Sequence, residues 1–428
     1  LTRFLGEPNF DYNHDTVATV GYNFVHRATD SLTFRQNLQY SQEIWDYRNV
    51  IPYGLQADLR TLDRGAYGNR KVYDTFAIDN QAELKADTGA LHHTVLFGVD
   101  YRWNQYQNDG TNSGVVGPID IFTPIYNTGV FMPAFDYGTR QTLNSTGVYL
   151  QDQIKLDRWI LTLGGRYDWS DRKTVDTFNV NGSSSGQKDN AFTKRAGLGY
   201  EFDNGVVPYF GYSESFLPLT GSAYDGTGSG KPLDPETGRQ YEVGIKYQPK
   251  GTNLRMTAAL YDLRRQNVTM RDSAHPGYLL QIGEVSSRGF EFEAVASLTS
   301  NLNLTAAYAY NDARVTKSIG ADLGKRPVRS PPHLASLWAD YTIREGALSG
   351  FGFGAGVRYV SESAGDSLNT FEAPAYTLVD AMVRYEIENW RFSVNATNLF
   401  NKQYVTGCSD DCAAGRGRTI LGKVAYRW

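Results

Sequence analysis

Apolar and polar side chains alternate with a period of two in one segment of this chain after another. Gly422, Val424, Tyr426 and Trp428 fall on one face of the last segment, Lys423 and Arg427 on the other. Trp390, Phe392, Val394 and Ala396 stand against Arg391, Ser393, Asn395 and Thr397, and Trp159, Leu161, Leu163 and Tyr167 against Thr162, Arg166 and Asp168. Leu302, Leu304, Ala306, Tyr308 and Tyr310 oppose Asn303 and Thr305, and Leu32, Phe34, Leu38 and Tyr40 oppose Thr33, Arg35, Asn37 and Gln39. A strand turns successive side chains to opposite faces, so each segment predicts a strand with one apolar and one polar side. A half-buried antiparallel sheet of a soluble protein gives the same alternation. Repetition along the whole chain, with aromatic residues at the ends of the apolar rows, favours a transmembrane antiparallel β-barrel with interface girdles.

The connections carry a second signal. Turns and strands read together predict about 17 strands, joined alternately by tight and long connections. Ala28–Ser31, Asp87–Ala90, Asp203–Gly205, Pro249–Gly251 and the break at Glu388 and Asn389 are the tight set, rich in turn formers and assigned to the periplasmic side. Asp46–Arg70, Asn108–Tyr137, Asp171–Asn190, Pro218–Gly238 and Lys317–Pro332 are assigned as long extracellular loops. The first strand is placed near Thr16–His26, with Leu1–Asp15 as the tail of an extracellular loop. Bacterial single-chain barrels have even strand numbers, so an odd count predicts further strands upstream and a chain that is a fragment.

Composition narrows the alternatives. The chain has 428 residues, 29 Tyr and 43 Gly, which suits strands and turns. A negative mean hydropathy and the absence of a long apolar run exclude helical membrane spans. They do not exclude a barrel, because half of each membrane strand faces a polar interior. The formal charge of −4 is small and the basic residues are scattered, which argues against a nucleic-acid partner. An outer-membrane enzyme would need carboxylates and histidine grouped at the barrel rim, and the six scattered histidines form no such set. His92 and His93 point to opposite faces of a strand, so a shared metal is not expected. The alternating glycines of Gly350-Phe-Gly-Phe-Gly-Ala-Gly356 are read as a strand, glycines inward and leaving room in the interior, and not as a nucleotide loop.

Several segments together resemble the TonB-dependent siderophore receptors, most closely the ferric-hydroxamate branch of ferrichrome and ferrioxamine receptors. They include Gly147-Val-Tyr-Leu-Gln-Asp-Gln153, Leu163-Gly-Gly-Arg-Tyr-Asp-Trp169, Pro208-Tyr-Phe-Gly-Tyr-Ser-Glu-Ser-Phe216, Gln240-Tyr-Glu-Val-Gly-Ile-Lys-Tyr247 and Asn398-Leu-Phe-Asn-Lys-Gln-Tyr-Val405. Arg3–Pro8, Ser336–Tyr341 and the closing aromatic add to the likeness. The resemblance implies a 22-stranded barrel filled by an N-terminal plug. The plug and about five strands are then missing from residues 1–428, which form a single barrel domain. It further implies outer-membrane localisation, monomeric uptake of a ferric siderophore, and energy from TonB–ExbB–ExbD acting through the plug. No cofactor or protein metal ligand is implied, since the siderophore carries the iron. Without a plug, a barrel of this size would be a passive pore.

Trp45, Tyr47 and Tyr53 enter the loop where hydroxamate receptors place ligand-facing tyrosines, and Trp103 and Tyr106 lead into the next. Phe122, Tyr126, Phe131, Phe135 and Tyr137 form an aromatic run there. Packing of a compact loop on itself explains such a run equally well. Cys408 and Cys412 stand where hydroxamate receptors carry a disulfide, and an oxidising envelope favours the bond over two thiols. Arg166, Asp168, Asp380, Arg384, Lys423 and Arg427 are placed on the polar interior face.

Overall fold

The computed structural model describes all residues except 1–2, 128, 179–183, 220, 227–229, 273–274, 276–277, 319 and 410. Parts of four assigned loops and the first two residues therefore lie outside the described residues. Among the described residues, seventeen strands have eight or more residues. They are β1 (Tyr12–Arg27), β2 (Leu32–Leu55), β3 (Thr61–Thr88), β4 (Leu91–Val116), β5 (Tyr137–Leu156), β6 (Trp159–Asp176), β7 (Ser184–Tyr200), β8 (Val206–Leu217) and β9 (Glu236–Tyr247). The remainder are β10 (Leu254–Arg271), β11 (Leu279–Ser297), β12 (Leu302–Lys317), β13 (His333–Thr342), β14 (Phe351–Val360), β15 (Tyr376–Ile387), β16 (Trp390–Thr397) and β17 (Thr419–Tyr426).

The chain divides into two compact units. The first comprises Leu1–Thr88, His92–Asp152 and Gly164–Phe192. Within it β1 pairs antiparallel with β2 from Tyr12↔Arg48 to Arg27↔Thr33, and β2 with β3 from Leu32↔Leu84 to Leu55↔Leu62. The second comprises Gly89–Leu91, Gln153–Leu163 and Thr193–Trp428. Within it the strands from β8 to β17 pair antiparallel in chain order. The predicted tight turns lie where the sequence places them. At one of them Gly205 adopts φ +83°, and a Cβ there would collide with the carbonyl oxygen of Gln248, so only glycine fits.

The alternation survives as two chemically distinct faces. Trp390, Phe392 and Val394 of β16 are exposed on one side, while Ser393 and Asn395 are partly covered on the other. Along β14, Phe353 is exposed and Gly352 and Gly354 are buried. Exposed apolar rows of this kind match a lipid-facing surface. Polar residues of the opposite face pair with one another. Arg166 donates to Asp100 at 2.5 and 3.0 Å and to Asp168, and Arg384 to Asp340 at 2.5 and 2.8 Å. Asp380 accepts from Arg358 at 2.6 Å, whereas Lys423 and Arg427 are exposed.

Three expectations are corrected. Asp46–Arg70 is a continuing ladder, in which only residues 56–60 lie outside the strands. Likewise Asn108–Val116 continues β4 and Asp171–Asp176 continues β6. The ladders persist because they enclose a small apolar core of Val50, Ala66 and Val116, with Phe10 and Val130 against it. Second, residues 12–15 of the segment assigned as a loop tail are strand, since β1 begins at Tyr12. Arg64 holds the residues just before it, donating to the carbonyls of Leu5, Gly6 and Gly117 and to Glu7 Oε1 at 2.8–3.2 Å. Third, the inward glycines of β14 leave no free space: the Trp338 ring of β13 lies across Gly354 and Gly356.

Candidate ligand-binding site

Cross-strand register assembles an aromatic cluster on the polar face of the first unit, toward the long-loop end. Residue 45 of β2 is directly opposite residue 71 of β3, and residue 47 opposite residue 69. Side chains at directly opposed positions share a face and interact. Trp45 and Tyr47 therefore stack, their centroids 5.1 Å apart, and the Lys71 ammonium lies 4.4 Å from the indole centroid and 5.4 Å from the phenol. The Trp45 indole N–H donates to Asn13 of β1. Asn69 donates to the Tyr47 hydroxyl at 2.9 Å and accepts from Tyr137 at 2.5 Å. One ring deeper, Tyr73 and Tyr106 stack at 4.6 Å.

The cluster is partly buried, which sets its electrostatics. Burial pushes the Lys71 ammonium below the ordinary lysine value. Burial also raises the Tyr106 phenol well above the ordinary tyrosine value, reinforced by the neighbouring Tyr73. The Tyr106 phenol thus stays a neutral donor across physiological pH. The arrangement offers flat apolar faces, hydroxyl and amide donors and one cation, the mixture that grips a bulky polar ligand.

The other candidates separate. Trp103 lies three residues from Tyr106 in the same strand and so faces the other way, with the exposed Phe97. Tyr53 is at the tip of β2 with 70% of its surface exposed. Phe122 packs under the guanidinium groups of Arg3 and Arg60, and Tyr126 donates to the Phe4 carbonyl at 2.8 Å. Those two rings hold the loop and the N-terminal segment together. Asn69 is missed by sequence reading because it sits within the stretch assigned to a loop, and Lys71 and Tyr73 because they follow directly on its end. Extending the alternation of β3 upward through Asn69, Lys71 and Tyr73 would have found them.

His92 bonds to Asp87 and His93 to Asp152, at 2.6 and 2.7 Å, in separate pairs. Among the described residues no group of three or more His, Cys, Asp or Glu is placed to hold a metal ion. Cys408 and Cys412 form a disulfide across a short hairpin, Val405–Ser409 with Asp411–Ala414.

Residues 2–399 match the family model described as TonB dependent receptor-like, beta-barrel. The ferrichrome outer membrane transporter/phage receptor of Escherichia coli K12 is 36% identical over 96% of this chain and 58% of its own length. The ferrioxamine B receptor of Salmonella typhimurium is 36% identical over 99% of this chain and 60% of its own. The chain thus spans about three fifths of the length of these curated relatives. Among solved structures, the siderophore receptor PiuA from Acinetobacter baumannii superposes with a TM-score of 0.85 at 22% identity, over 99% of this chain and 66% of that one. The ferric-catecholate import receptor Fiu from E. coli K12 gives 0.82 at 21% identity, over 99% and 65%. Two structures of such low identity speak for the fold, and the closer sequences speak for descent: the chain belongs to the TonB-dependent receptor β-barrel family of the bacterial outer membrane, a family of receptors and transporters and not of enzymes.

Proposed function

We propose that the protein takes up ferric siderophores of the hydroxamate type, with the Trp45, Tyr47, Lys71, Tyr73 and Tyr106 cluster as part of the capture surface. The observation that carries this reading is the inward-facing stack itself, with its rings and donors held in place by bonds across four strands. A ferric hydroxamate presents a bulky exterior of methylene chains and oxygen acceptors, which rings and phenol hydroxyls complement. Iron is cargo here, wrapped by the siderophore, so the protein needs no metal ligand. Coupling to TonB–ExbB–ExbD belongs to the part of the relatives that this chain does not span, and the receptor works as a monomer.

The test is a fluorescence titration of the protein purified from its outer membrane with a ferric trihydroxamate. Tyr47→Ala is expected to weaken binding roughly 10- to 100-fold, by loss of a partly buried aromatic anchor. Trp103→Ala, on the opposite face, should leave it within about twofold. Equal affinity for the wild type and Tyr47→Ala would remove the cluster from the site. Uptake that persists after collapse of the proton-motive force would favour a passive pore.

A further inference from the structure

We propose that Lys71 makes the capture surface selective for charge: among ferric trihydroxamates it favours those with a pendant carboxylate over neutral ones, and neutral ones over those with a pendant amine. The inference rests on the siderophore reading of the cluster and narrows its ligand class. Its ground is a cation without an anion. Among the described residues Lys71 forms no ion pair, and its ammonium rests on the Trp45 and Tyr47 rings, 4.4 and 5.4 Å from their centroids. Burial lowers its proton affinity, with no neighbouring carboxylate to offset the effect.

The ladder keeps the nearest carboxylates of that face away. Trp45 is opposite Lys71 on one flank and Asp15 on the other, so Asp15 stands two strands from Lys71, about 10 Å away beyond the indole. Asp15 is also exposed, and water screens it. Glu43 is opposite Tyr73 one row deeper, a diagonal of about 7–8 Å from Lys71, and the ammonium leans the other way, toward Tyr47. In the row above, Asn69 donates to Tyr47 and accepts from Tyr137, so these groups are committed to one another. The ligand supplies the other half. Three hydroxamate anions neutralise one ferric ion, so the iron core brings no net charge and the pendant groups decide the total. A partly buried ammonium is costly until an opposite charge reaches it, and a second ammonium beside it adds repulsion. A pendant carboxylate accepts charge-assisted bonds from Lys71, which a pendant amine cannot do.

The experiment titrates the full receptor, purified from its outer membrane, with one linear ferric trihydroxamate in three forms, its terminal amine free, acetylated or succinylated. Affinities are compared as ratios between forms, so that a loss common to all three cancels. The wild type is expected to bind the succinylated form roughly tenfold more tightly than the acetylated one, and roughly 30-fold more tightly than the free amine. Lys71→Met should bring the three within about threefold of one another, and Lys71→Arg should keep the order. Lys71→Glu should reverse the order. If a variant does not fold, raised salt tests the charge in the wild type, where it should shrink the preference. Equal binding of the three forms by the wild type, or an order unchanged in Lys71→Met or by salt, overturns the proposal and leaves the siderophore reading standing. Binding of none of the forms overturns both.

Discussion

The Lys71 ammonium sits 4.4 Å from the centre of the Trp45 indole, because β2 and β3 place the two residues directly opposite each other toward the long-loop end of the ladder. A cation over an indole face is held by the ring's quadrupole, and partial burial strengthens the attraction by removing competing water. A thermal-unfolding double-mutant cycle with Trp45→Leu and Lys71→Met should return a coupling of about 0.5–1.5 kcal/mol. Additive effects of the two substitutions would show that the proximity has no energetic content.

Arg64 and Glu7 form a pair whose side chains are 0% and 2% exposed. Removing one member of such a pair leaves the other charge buried and alone, at about 3–5 kcal/mol. Arg64→Ala is expected to release residues 3–11 and not to unfold the strands, since its partners are the carbonyls of that segment and of Gly117. Hydrogen exchange should show lost protection near Gly6 and retained protection in β3. Global unfolding instead would mean that the clamp supports the strands themselves.

Asp120 caps its own turn, accepting from the amides of Thr123 and Phe122 and from Arg60. These bonds hold its carboxyl well below the usual carboxylate range, the Thr123 amide foremost. Asp58 is likewise lowered, chiefly by the Thr61 hydroxyl. A carboxyl depressed in the folded state stabilises fully above its unfolded value of 3.8 and loses that contribution as pH falls below it. Amide exchange at Phe122 and Thr123, corrected for intrinsic rate, should therefore accelerate between about pH 4 and 2. Asp120→Asn should show the faster exchange already at neutral pH; an unchanged rate there contradicts the capping role.

Val424 is 60% exposed on the apolar face of β17, beside Phe392 of β16. Placing arginine there should cost roughly 2–4 kcal/mol if the residue sits near the bilayer midplane. Reversible folding into lipid vesicles measures it. No change would assign that face to water.

The Cys408–Cys412 bond closes a loop of small sequence separation, 4 residues. Such a cross-link removes little entropy from the unfolded chain. Reduction should leave heat-modifiable migration on a gel intact while changing the hairpin around buried Cys408. Loss of that migration would reveal a structural role for the bond.

Strand number, face assignment and the tight turns were legible in the sequence because a period of two is local: each residue's face follows from its neighbours, as the rows through Trp390 and Val424 show. Outer-membrane origin followed from the same pattern, since lipid demands apolar rows on one side only. The tertiary structure alone decided which aromatics meet. Trp45 and Lys71 are 26 positions apart in number (71 − 45), and their contact depends on a ladder that runs past the membrane, where lipid no longer imposes alternation and a small core holds the strands. The same limit hid the buried Arg64 clamp and the Trp338 ring over Gly354 and Gly356, for both join residues whose proximity is set by cross-strand register and packing.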